Sequence, residues 1–72
     1  MNMTEKQLGS IVLFLVGSNA KPVDWAAIVA EVERSGFEGN FMRVRGAVQA
    51  LINGGFIERV KDVHTERYRL KA

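Results

Sequence analysis

Residues 41–60 read Phe41-Met42-Arg43-Val44-Arg45-Gly46-Ala47-Val48-Gln49-Ala50-Leu51-Ile52-Asn53-Gly54-Gly55-Phe56-Ile57-Glu58-Arg59-Val60, and the fold is decided in this stretch. Phe41, Val44, Ala47, Val48, Leu51 and Ile52 recur at the helical spacing, which predicts an amphipathic helix with this stripe on the core. Asn40 has a side chain suited to capping its start, and Gly54-Gly55 ends it. Past the glycines the period changes. Residues 56–61 and 66–70 are rich in β-branched and aromatic side chains, and Asp62-Val63-His64-Thr65 lies between them, which predicts a terminal β-hairpin.

Towards the amino end, Thr4-Glu5-Lys6-Gln7 has the spacing of a capping box just ahead of an apolar run. A first helix is expected from there to about Val16, stopping in Gly17-Ser18-Asn19. Lys21-Pro22-Val23 leaves room only for a short extended piece. Asp24 is placed to cap a second helix with Trp25, Ile28, Val29 and Val32 at the 3.6 period, closed from the C′ position by Gly36. The order is helix, short extended piece, helix, helix, hairpin. It describes an α+β chain forming one domain over residues 1–72, a length with no room for a second.

This order is the layout of the winged helix-turn-helix family. Residues 41–60 resemble its recognition helix and first wing strand, most specifically at Leu51-Ile52-Asn53-Gly54-Gly55-Phe56-Ile57. The layout covers nearly the whole chain and the detailed motif about residues 41–70. The resemblance implies three helices followed by a C-terminal hairpin wing. It also implies sequence-specific binding of double-stranded DNA, with the third helix in the major groove and the wing on the backbone or minor groove. By the same resemblance Lys61, His64, Thr65, Arg67 and Arg69 are contact candidates on the wing, to which the first strand adds Arg59. Small size without an effector domain suggests a transcriptional regulator of the phage, plasmid or compact bacterial operon type.

The residues of the third helix point the same way. Opposite its apolar stripe stand Met42, Gly46, Gln49 and Asn53, with Arg43 and Arg45 on the margins. Arginine pairs bidentately with guanine and glutamine with adenine, and Gly46 would let the backbone approach the duplex closely. Asn40, Met42, Arg43, Arg45, Gly46 and Gln49 are therefore the expected contacts of this helix. The blander alternative is arginines covering the apolar stripe with their stems, and Gly46 merely tolerated. Charge is split along the chain: residues 1–42 carry a net −2 and residues 43–72 a net +4, within an overall +2. An electropositive C-terminal half suits a partner made of phosphates. In the hairpin, Glu58, Asp62 and Glu66 dilute that charge.

Other chemistry finds little footing. With no cysteine, disulfides, thiolate nucleophiles and the usual zinc sites are excluded. His64 is the sole histidine and supports neither a metal site nor a Ser-His-Asp arrangement. Glu31 and Glu33 are two apart on a helix and so face different ways, a poor acid/base pair. No Lys-Ser/Thr pair follows the glycines as a phosphate loop requires. No enzyme activity, cofactor or metal is expected. No apolar run reaches the length of a bilayer span, and the expected location is the cytoplasm.

Residues 11–16 are six consecutive apolar residues, which on a helix point in every direction. Either this helix is central to the fold or a second copy covers the remainder. The second option gives the expectation of a homodimer, with Ile11, Leu13, Phe14 and Trp25 at the interface. Two features depart from the family. The connection over residues 35–39 is longer than a tight helix-turn-helix turn, and Glu38 sits near the amino end of the third helix, where it suits the dipole but repels a phosphate. They keep open the alternative of a winged-helix protein-interaction module, a small inhibitor or a subunit of a larger complex, without DNA binding.

Overall fold

Thr4 closes the amino end of α1 (Glu5–Ser18) by a reciprocal exchange with Gln7. The Thr4 hydroxyl accepts from the Gln7 backbone N–H at 3.1 Å, and the Thr4 N–H donates to Gln7 Oε1 at 2.8 Å. Donors that the first turn leaves without helical partners are thereby satisfied. The computed structural model describes residues 2–61 and 63–72 of the chain. At its other end α1 runs past Gly17 to Ser18, about two residues beyond the expected stop. Asn19 caps it there, its side-chain amide donating to the Leu15 carbonyl at 2.7 Å.

Asp24 ends a two-residue strand, β1 (Val23–Asp24), and starts α2 (Trp25–Arg34), accepting from the Ala27 N–H at 2.9 Å. The carboxy end of α2 folds back through Gly36 at φ 96°, a left-handed conformation that glycine adopts without strain. The Gly36 N–H reaches the Glu33 carbonyl and the Phe37 N–H the Val32 carbonyl, a Schellman closure that delivers Phe37 into the core. The next helix, α3 (Phe41–Asn53), is capped by Asn40 and closed in the same way, with Gly55 at φ 80° and Phe56 bonded back to Leu51. The chain then enters β2 (Ile57–Lys61), turns, and returns as β3 (Glu66–Leu70).

The result is a small α+β fold of three helices and a three-stranded antiparallel sheet in the order β1-β3-β2. The hairpin has the expected strands. The short extended piece is more than a connection, because Val23 pairs with Tyr68 and Asp24 with Arg67, tying the start of α2 to the far strand of the hairpin. Two residues are too few to show a period of two, so that strand had no sequence signature.

The core lies where α1 meets everything else. Leu8, Val12 and Val16 of α1 are buried against Ile28 and Val32 of α2, Val44, Ala47 and Val48 of α3, Ile57 of β2 and Tyr68 of β3. Each such aliphatic side chain taken from water contributes roughly 1.5–3 kcal/mol. The central position of α1 also covers the rest of the apolar run. Ile11, Leu13 and Leu15 are partly buried on the core, and Phe14 alone of the six stands out, 75% exposed. Part of the cover for this run is thus supplied by the other elements of the same chain, and Phe14 is left outside it.

Candidate nucleic-acid interface

The hairpin register decides which cations share a surface. Residues directly opposite on antiparallel strands point to the same face. Arg59 opposite Tyr68 and Lys61 opposite Glu66 therefore lie on the face that Ile57 and Tyr68 turn to the helices. Arg69 opposite Glu58, and Arg67 opposite both Val60 and Asp24, lie on the outer face. The four cations expected to act together on the wing are divided two and two. Asp62, counted among the diluting acids, lies outside the described residues.

Between α3 and the inner face of the sheet runs a groove of about 340 Å3, lined by Trp25, Met42, Arg45, Gly46, Val48, Gln49, Arg59, Glu66 and Tyr68. Its side chains are braced from several elements. The Arg45 guanidinium stacks on the Trp25 ring, 4.2 Å from the ring centroid. Gln49 donates from Nε2 to Asn53 Oδ1 at 2.9 Å and accepts at Oε1 from an Arg59 Nη2 at 3.2 Å. Arg59 is in turn held by Glu66, Nε to Oε1 at 2.9 Å. One acceptor lone pair and one N–H of the Gln49 amide remain unused, the pair an adenine edge requires.

Tyr68 lies buried under this groove, its hydroxyl 3.4 Å from Glu66 Oε2. Burial, followed by the negative charge of Glu66, raises its pKa above the ordinary tyrosine value, and the phenol stays neutral. With Glu66 engaged by Arg59, Arg45 and Lys61 are the groove-side cations that pair with no carboxylate among the described residues.

Two expected contacts of α3 meet the amino end of the chain. Arg43 donates to the Met3 carbonyl and lies 6.0 Å from the Phe37 ring centroid, so it ties the chain's beginning to α3 instead of projecting outward. At Gly46 the nearest atom to an added Cβ would be Glu5 Oε1, at 3.4 Å. The space its missing side chain opens is approached by a carboxylate of α1, which sets a negative charge on the margin of the expected reading face. Both contacts come from the amino end of the chain packing against α3, a long-range approach that spacing within α3 does not reveal.

The remaining candidates are scattered. Asn40 spends its side chain on the Met42 N–H at 2.8 Å, while Met42 itself is 67% exposed. Thr65 accepts from Arg67 Nε at 3.2 Å, Arg69 pairs with Glu58 at 2.6 Å, and His64 and Lys61 are exposed. Of the expected interface set, Ile11 and Leu13 pack on the core. Trp25 is drawn to Arg45 across the α2–α3 junction and makes no common patch with Phe14 in the described contacts. Sequence reasoning missed Trp25, Glu66 and Tyr68 as parts of this groove. A signal existed for the last two, because closing the two strands symmetrically across the sequence between them pairs Lys61 with Glu66 and so Arg59 with Tyr68.

Comparison of the chain with protein-family models, curated proteins and solved structures finds no match. Among the described residues no helix is long and apolar enough to cross a membrane, and no group of three or more acidic or histidine side chains could hold a metal ion.

Proposed function

We propose that this protein is a double-stranded DNA-binding module of the winged helix-turn-helix kind, acting as a sequence-specific transcriptional regulator. The observation that carries the reading is Arg45, an exposed guanidinium on α3 with no carboxylate partner among the described residues, set beside the half-satisfied amide of Gln49. Two further features support it. The element order matches the layout inferred from sequence, and Lys61, which pairs with no carboxylate among the described residues, extends a second charge from the hairpin on the same side as the groove. In this reading the outward face of α3, carrying Met42, Arg45, Gln49 and Asn53, enters the major groove, and the inner side of the hairpin with Lys61 follows the backbone. Arg43 drops out of the contact set because its guanidinium is engaged by the Met3 carbonyl, while Gly46 stays on the groove that it lines. Arg67 and Arg69, on the outer face, are left to distant phosphates. Of the apolar run in α1, Ile11, Leu13 and Leu15 are partly buried and Phe14 is exposed, which leaves Phe14 as the side chain that the expected second copy would cover.

A protein-binding module is the second reading, and the Glu5 carboxylate beside Gly46 is the observation that favours it, since a phosphate arriving there meets like charge. Anisotropy of labelled random duplexes across a salt series separates the two. About three phosphate contacts give a log–log slope near −3, with affinity lost steeply between roughly 50 and 200 mM salt. Absence of duplex binding at low salt, or affinity indifferent to salt, contradicts DNA binding.

A further inference from the structure

We propose that Trp25 is the positioning residue for Arg45, and that the pair makes the protein prefer guanine at one position of its target. The proposal rests on the duplex-DNA reading of the groove and adds to it a base identity and a residue outside α3 that sets it. Recognition of guanine needs two parallel N–H donors presented edge-on to O6 and N7. A guanidinium held over an indole suits that arrangement, because the ring accepts none of its conventional hydrogen bonds and leaves its N–H donors free for the base edge. At 4.2 Å from the ring centroid Arg45 is well within the distance at which such stacking acts.

The backbone of Trp25 is anchored outside α3. Trp25 is the first residue of α2, directly after Asp24, whose side chain caps that helix and whose backbone pairs with Arg67 of β3. The backbone that carries the indole is thus anchored by the sheet and the cap, the ring packs on the hydrophobic core, and Arg45 is brought to it from the neighbouring helix. The other arginines of this region contrast with it. Arg43 is engaged by the Met3 carbonyl, Arg59 by Glu66 and Gln49, and Arg69 by Glu58. Arg43 also lies over a ring, that of Phe37, but spends a donor on the Met3 carbonyl, whereas Arg45 is held by an aromatic face that takes up none of its hydrogen-bond donors.

Sequencing the duplexes retained from a random pool by the wild type, Trp25→Leu, Trp25→Phe and Arg45→Lys tests this. The wild type selects a guanine at one fixed position. Trp25→Leu, which keeps apolar bulk but removes the π-face, loses about tenfold of that preference relative to its affinity for unselected duplex, and Arg45→Lys, which cannot donate bidentately, loses as much. Trp25→Phe retains most of the preference, and Trp25→Leu placed in an Arg45→Ala background changes nothing further. Thermal unfolding followed by circular dichroism shows whether each variant is folded, and the Phe variant keeps the test decisive if Leu unpacks the site. Undiminished guanine preference in folded Trp25→Leu overturns the proposal, as does tighter binding, which would mean that Trp25 holds Arg45 away from DNA. A wild type that retains no duplex fails earlier, on the DNA reading itself.

Discussion

Helices α1 and α3 are nearly equal in length and meet face to face, yet the fold uses them oppositely. α1 is apolar in every direction along residues 11–16 and becomes the element that α2, α3 and β3 pack around, with Leu8, Val12 and Val16 sealed from solvent. α3 buries one stripe, Val44, Ala47 and Val48, and leaves Met42, Arg45, Gln49 and Asn53 on the surface. In so small a chain a helix that is hydrophobic all round marks the centre, and one that is half polar is left with a face for something else. Stability should therefore be concentrated in α1 and binding in α3.

The sharpest way to break this division is to shorten a side chain at the centre. Leu8→Ala removes a fully buried side chain and should cost about 2–5 kcal/mol, a large part of the stability of a domain this size. Urea unfolding reads the loss directly. On the same helix, Phe14→Glu should change stability by less than about 0.5 kcal/mol and leave the sedimentation behaviour unchanged, because Phe14 is mostly in solvent. A shift from dimer to monomer in that variant would mean that α1 also serves an interface.

The converse applies to α3. Arg45→Ala should weaken duplex binding by about 1–3 kcal/mol while the unfolding midpoint stays close to that of the wild type. Anisotropy titration and thermal melting of one preparation check both halves. A smaller effect of opposite sign is expected where the two helices touch, since Glu5→Gln removes a negative charge beside Gly46 and should tighten DNA binding by about 0.5 kcal/mol. The helix dipole loses a favourable acid at its amino end, a cost of a few tenths of a kcal/mol in stability. Weaker DNA binding in Glu5→Gln would contradict the placement of the interface on that side of α3.

The last contrast concerns pH, at the floor of the groove. The pKa of Tyr68 is raised in the folded state, by burial first and by Glu66 second, so the folded chain holds this proton more tightly than the unfolded one. The resulting stabilisation is fully present below the ordinary value of 10.0 and is lost as pH rises from there through the raised folded value. Tyr68→Phe should flatten that alkaline decline. Tyr68 is the only tyrosine, so the ultraviolet absorbance of phenolate follows its titration without interference. A phenol titrating below the ordinary value would contradict the burial account.

Much of this was legible in the chain. The Thr4–Gln7 capping box, the Asp24 and Asn40 caps, the closures at Gly36 and Gly54-Gly55 and the hairpin strands are local, each set by residues a few positions apart, and each is present in the fold. What local spacing does not carry is where distant segments meet. The tie of Arg43 to Met3, the approach of Glu5 to Gly46 and the stacking of Arg45 on Trp25 all join residues from different elements, and they redrew the candidate contact set. The role of α1 shows the same limit, for its composition permitted both a central helix and an interface. The packing of three other elements around it shows the first.

Amide chemical-shift perturbation of the uniformly 15N-labelled protein, titrated with duplex DNA at low salt, tests the central claim most directly because it reports binding and location together. The account predicts shifts at Met42, Arg45, Gln49 and Asn53 of α3 and at Lys61 of the hairpin, reversed by added salt, with Phe14 and the rest of α1 beyond its first turn unmoved. Perturbations centred on the exposed Phe14, or no perturbation at any duplex concentration, would contradict it.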